Sequence, residues 1–138
     1  MSLRGRYRPL ACIGEGSFGR TFLAVDEDLP SKPRCMIKQL RGDLSSGGGD
    51  GVDGSANVAR VAETLFRREA VQLERLDHPQ IPKLLAFCED NSCKFLVETF
   101  ISGKSLLLEL VERGGEPFSP RQVADCMDEM LRILVVCA

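Results

Sequence analysis

The sequence predicts an α+β fold: a five-stranded antiparallel sheet carrying one long helix, followed by helices alone. Three observations carry that prediction. Short apolar runs separated by turn-forming residues recur between Tyr7 and Phe100. One stretch with three-and-four apolar spacing interrupts them from Asn57. After the last run, Ser119, Pro120 and Gln122 spell a helix start. The 138 residues, 43% hydrophobic and 28% charged, suit one domain or part of one and exclude a disordered chain.

The elements follow in order. Leu10–Ile13 and Thr21–Val25 are apolar and flank the glycine cluster GEGSFGR, which reads as strand, loop, strand. The acidic, proline-bearing turn DEDLPSKP then leads to a third strand, CMIKQL, and three antiparallel strands are the economical arrangement. Residues 42–55 hold six glycines, three serines and three aspartates with almost nothing to bury, so they are expected to form a mobile insert. Beyond it, Ala62, Leu65, Phe66, Leu73 and Leu76 mark one long amphipathic helix, which the prolines of DHPQIP end.

Two further strands are expected, Lys83–Cys88 and Lys94–Phe100, joined by the turn EDNS. A short helix over Ser105–Val111 follows Gly103. The last helix starts with Ser119 as N-cap, Pro120 at the first helical position and Gln122 at N3. Val123, Met127, Met130, Leu131 and Leu134 form its core stripe, whereas the final ILVVCA is apolar all round. The expected organisation is therefore a sheet-and-helix unit over residues 1–103, with the insert at 42–55, and the opening of a helical unit over 104–138.

Composition narrows the function classes. A net charge of −2 and a pI near 5.5, with only Arg4, Arg6 and Arg8 clustered, argue against nucleic acid or anionic lipid as partner. No run approaches the roughly 20 apolar residues of a membrane span and no secretory leader is evident, so the expected location is the cytoplasm. Cys12, Cys35, Cys88, Cys93, Cys126 and Cys137 form no CxxC pair and the single histidine, His78, has no cysteine near it. No metal site is expected, and the thiols are read as buried, reduced hydrophobes.

The chemistry rests on three features. Gly14, Gly16 and Gly19 form a GxGxxG pattern, which by itself is weak. In a dinucleotide-binding oxidoreductase those glycines open a helix; here a strand is predicted to follow, which sets that reading aside. Lys38 is the second feature, alternating onto one strand face with Met36 and Leu40. Glu69 is the third, set in an otherwise apolar helical stripe with no cation three or four residues away. Two misplaced charges of opposite sign, one on a strand and one on the helix expected to cover it, account for each other as an ion pair. Beside a glycine loop, such a pair suits nucleotide phosphates: the loop offers backbone amides and the carboxylate fixes the lysine.

On these motifs, with HPQIPKLL and FLVETFISGKSL following in order, the sequence resembles the bacterial eukaryotic-like serine/threonine protein kinases over residues 7–103. The resemblance implies an ATP-binding small lobe. Ile13, Gly14, Glu15, Gly16, Ser17, Phe18, Gly19 and Arg20 would form the loop over the phosphates, with Phe18 at its tip. Thr21 and Met36 would roof the adenine, and Lys38 would contact the phosphates with Glu69 as its partner. Glu98 would occupy the gatekeeper position, Thr99 and Ile101 would offer hinge backbone groups, and Leu73 and Leu84 would belong to the hydrophobic spine. Three positions depart from the family's usual residues: Thr21 for Val, Met36 for Ala or Val, and Thr99 for Glu. Altered affinity is expected from the first two rather than lost binding.

Residues 104–138 resemble the start of the family's larger lobe. The HRDxxxxN loop, the DFG aspartate and the activation segment are not among the 138 residues, so no catalytic residue and no magnesium ligand is assigned. The resemblance thus implies ATP as substrate, magnesium only in a complete domain, and protein hydroxyls as acceptors there, while this chain alone is expected not to turn over. The alternative is a truncated nucleotide- or partner-binding module whose apolar C-terminal end is covered by a partner or by the missing lobe.

Overall fold

The computed structural model describes residues 2–41 and 54–138. It contains five strands, β1 (Tyr7–Glu15), β2 (Gly19–Asp26), β3 (Arg34–Leu40), β4 (Leu84–Asp90) and β5 (Cys93–Thr99), and three helices, α1 (Gly54–Arg75), α2 (Leu106–Glu112) and α3 (Pro120–Cys137). The chain divides into two units, one comprising Met1–Arg75 with Pro82–Phe100, the other Leu76–Ile81 with Ile101–Ala138.

In the first unit the strands form one antiparallel sheet in the order β1-β2-β3-β5-β4. The fold class is therefore α+β, as the alternating runs predicted. The β4–β5 hairpin is tighter than the EDNS turn suggested. Only Asn91 and Ser92 lie between the strands, both with positive φ, the two-residue geometry whose twist matches its flanking strands. At the N-terminus Arg4 and Gly5, also at positive φ, turn the chain so that Leu3 pairs with Tyr7.

The sheet uses its two faces differently. On one, Leu3, Tyr7, Ala24, Cys35, Ile37, Cys88 and Val97 make a buried cluster, with Phe22, Ala86 and Phe95 packed against it. Asp26 lies at the end of this face, 2% exposed, and accepts two hydrogen bonds from Arg6, at 2.9 and 2.7 Å. The Arg6 guanidinium holds its carboxyl below the usual range against the opposing effect of burial.

The other face carries Lys38, Leu96, Phe87 and Lys94 and is covered by α1. The Phe66 ring meets that of Phe87 at a 43° tilt with centroids 5.9 Å apart, and Lys94 pairs with Glu63 at 2.8 Å. The helix buries Ala62 and Ala70, with Phe66, Glu69 and Leu73 partly covered. Leu65, expected in the stripe, is 58% exposed: two alanines let the backbone approach the sheet, which turns Leu65 outward.

Several boundaries differ from expectation. The helix begins at Gly54 rather than Asn57, so Gly54 and Ser55 leave the expected insert; the rest of that insert, residues 42–53, lies outside the described residues. Only Cys35 and Cys88 of the six cysteines are buried, Cys93 and Cys126 are partly covered, and Cys12 and Cys137 are exposed. Burial pushes the Cys35 thiol up to about 11 and raises that of Cys88 as well, which keeps both protonated and inert.

In the second unit the Ser105 hydroxyl accepts from the Leu108 N–H to cap α2, and Gly114 and Gly115, at positive φ, end it. The Ser119 hydroxyl accepts from Gln122 N–H while the Gln122 side chain accepts from Ser119 N–H, a complete capping box with Pro120 following. No residue of α2 or α3 is buried. Among the described residues no helix is long and apolar enough to cross a membrane.

Candidate functional site

The glycine cluster forms the β1–β2 connection. Gly14 pairs with Thr21 and Glu15 with Arg20 across the hairpin, and the tip closes through a hydrogen bond from Gly16 N–H to Gly19 C=O at 2.9 Å. The loop is also tied to the residue that follows β3: Arg41 N–H donates to the Phe18 carbonyl, and the Arg41 guanidinium donates to Glu15. Gly19 has a steric reason to be glycine: a Cβ there would stand 1.9 Å from the Gln39 carbonyl oxygen. Gly16 has open space around it.

Lys38 projects from the central strand β3, two residues from Met36 along the same face. Its ammonium lies 2.6 Å from Glu69 Oε1, so the ion pair expected from two misplaced charges is present. The glycine loop, Thr21, Lys38, Gln39, Leu40, Phe66 and Glu69 line an open cavity of about 370 Å³, within the size range of ligand sites.

A second carboxylate reaches the same lysine. Glu98 lies opposite Met36 in the β3–β5 register, and its Oε1 is 3.3 Å from Lys38 Nζ. Glu98 is 4% exposed, whereas Glu69 keeps substantial solvent contact. Burial raises the Glu98 carboxyl above its ordinary range, with Lys38 only partly offsetting it and the Glu69 charge adding to it. Burial also works against the Lys38 charge, but the hydrogen bond to Glu69 and the field of Glu98 outweigh it and raise the ammonium. No local pattern in the sequence marks this contact, because it depends on strand register.

The remaining residues singled out in the sequence are placed as follows. Ile13, Ser17, Phe18 and Arg20 are exposed, and Glu15 accepts from Arg20 and Arg41, whose cations lower its carboxyl. The Thr99 N–H donates to the Lys83 carbonyl and its hydroxyl accepts from Lys83 N–H, so any contact it makes with a base edge runs through its carbonyl. Ile101 falls in the second unit and is exposed. Leu73 and Leu84 are partly covered.

The sequence matches no family model. It is 38% identical over 135 residues to serine/threonine-protein kinase B of Synechocystis, covering 97% of this chain and 22% of that protein. It is 33% identical over 134 residues to serine/threonine-protein kinase PknA of Nostoc, covering 96% of this chain and 22% of that one. The chain thus spans about a fifth of the length of the curated relatives it matches. Among solved structures, PpkA-294 in its apo form aligns with a TM-score of 0.62 at 25% identity, over 77% of this chain and 39% of that one.

Proposed function

We propose a function from the premise that this chain is a homologue of the bacterial serine/threonine protein kinases: its first unit is the nucleotide-binding lobe of such a kinase, and it holds ATP between the glycine loop and Lys38. The observation that carries this reading is the 2.6 Å pair between Lys38 and Glu69 beside the loop cavity. A lysine so held presents a fixed positive charge to the α- and β-phosphates, while Gly14–Gly19 brings backbone close above them. Met36 and Thr21 would border the base, and the Thr99 carbonyl would face its edge.

Phosphoryl transfer to a protein hydroxyl needs a base and metal ligands, which the resembled family carries in its HRDxxxxN and DFG motifs, and neither motif is among the 138 residues. The chain by itself is therefore expected to bind ATP without turnover, with catalysis, magnesium and the protein acceptor belonging to a complete domain. Lys38→Met should weaken ATP binding by about 10- to 100-fold, the range of a charge-assisted contact. Fluorescence titration with an ATP analogue, checked by circular dichroism for retained fold, measures it. Equal affinity in the two proteins would remove Lys38 from the site, and phosphate transfer by the purified chain, lost in Lys38→Met, would overturn the absence of turnover.

A further inference from the structure

Lys38 has two carboxylate partners, and they are not equivalent. Glu69 makes the shorter contact and retains solvent; Glu98 is enclosed, and among the described residues the cation acting on it is Lys38. From β3 the charged group facing it is Lys38, from α1 it is Glu69, and its cross-strand partners Met36 on β3 and Leu84 on β4 are uncharged. A lysine committed to two carboxylates is not free to serve a phosphate. If it turns toward one, Glu69 can be rehydrated in place, whereas Glu98 would keep an unneutralised charge in a closed setting.

We propose that Glu98 is a second positioning residue for Lys38, and that capture of a nucleotide phosphate by Lys38 is coupled to protonation of Glu98. The inference rests on the nucleotide-binding reading and extends it. In the free protein Lys38 helps keep Glu98 ionised. In the complex the ammonium is drawn to the phosphate and a negative charge enters the cavity; both changes favour the protonated acid. The complex then binds one more proton than its components. Linkage fixes the sign: affinity rises as pH falls between the Glu98 midpoint in the complex and that in the free protein, by at most about tenfold per pH unit, and is level outside that window with respect to this group.

The test follows the Glu98 side-chain carboxyl by carbon NMR in the 138-residue chain, free and saturated with ATP, together with ATP affinity across pH for wild type and Glu98→Gln. ATP's own phosphate ionisation is common to both proteins and cancels in the comparison. The expected result is a Glu98 midpoint that moves up on saturation, and a wild-type affinity with a steeper acid rise than that of Glu98→Gln. The variant should also bind ATP more tightly at neutral pH, because Lys38 is no longer shared. A Glu98 midpoint unmoved by saturating ATP overturns the coupling while leaving the nucleotide site intact, and that reading needs no variant to fold. Identical pH profiles for the two proteins overturn it equally. No ATP binding by either protein at any pH overturns the nucleotide-binding reading and this inference with it.

Discussion

Helices α1 and α3 are alike in length, 22 and 18 residues, and each carries an apolar stripe on one side. Yet α1 packs Ala62 and Ala70 against β3 and β4, while no residue of α3 is buried and Met127, Leu131 and Leu134 stand more than half exposed. Helix-forming signals do not account for the difference, since α3 has the complete capping box. The two helices differ in what accompanies them. The sheet gives α1 a surface whose register is fixed by paired strands, with Phe87 to meet Phe66 and Lys94 to meet Glu63. A capping box decides where a helix begins; only a partner surface decides whether its apolar face contributes to stability.

The largest expected effect sets a truncation in the sheet core against one on α3. Ile37, 1% exposed in the centre of the sheet, should lose about 2–5 kcal/mol of stability on change to Ala. Leu131→Ala on α3, where the side chain is 58% exposed, should stay within about 0.5 kcal/mol. Urea unfolding followed by circular dichroism measures both. Equal losses would mean that the apolar face of α3 is buried in solution.

A smaller effect sharpens the comparison inside the first unit. Gly19→Ala puts a methyl against the Gln39 carbonyl, at the position where the loop enters β2 beside the end of β3, and should cost about 1–3 kcal/mol. Gly16→Ala meets nothing within 4 Å and should leave stability nearly unchanged, so a loss of ATP affinity there would support the proposed approach of the loop to the phosphates. Thermal unfolding and ATP titration of the two variants separate fold from site. If Gly16→Ala proved as destabilising as Gly19→Ala, the loop geometry would not be the one described.

Much of this was legible in the sequence because it is local. Strand runs, the proline end of α1 and the capping box of α3 each depend on a few neighbouring residues. The Lys38–Glu69 pair was also legible, since a charge in an apolar stripe demands a partner and each supplied the other's. What was not legible depends on distance in sequence. Glu98 reaches Lys38 only through the β3–β5 register, and Asp26 meets Arg6 only because the N-terminal turn folds back. Spacing places Leu65 in the stripe of α1 with Ala62, yet Leu65 faces outward, because the helix approaches the sheet through its two buried alanines, Ala62 and Ala70. In the same way Leu10 and Ile13, strand residues by composition, lie where β1 slips register against β2 near Pro9 and Gly14, and both are exposed on the sheet's edge strand.

The smallest effect concerns the helix that relies on its own ends. Ser119→Ala removes the acceptor for Gln122 N–H and dissolves the reciprocal bond, a change that costs about 1 kcal/mol in helices generally. In a helix well packed along its length, that loss is shared with tertiary contacts and shows mainly as a lower global stability. In α3, with no buried residue to hold the first turn, the same loss should appear locally, as faster amide exchange over Gln122–Cys126 with the exchange of β3 and β5 unchanged. Uniform slowing or quickening across both units would instead tie α3 into the cooperative unit of the sheet. The difference between a local and a global response to one lost cap is thus a direct measure of whether α3 has a partner surface in solution.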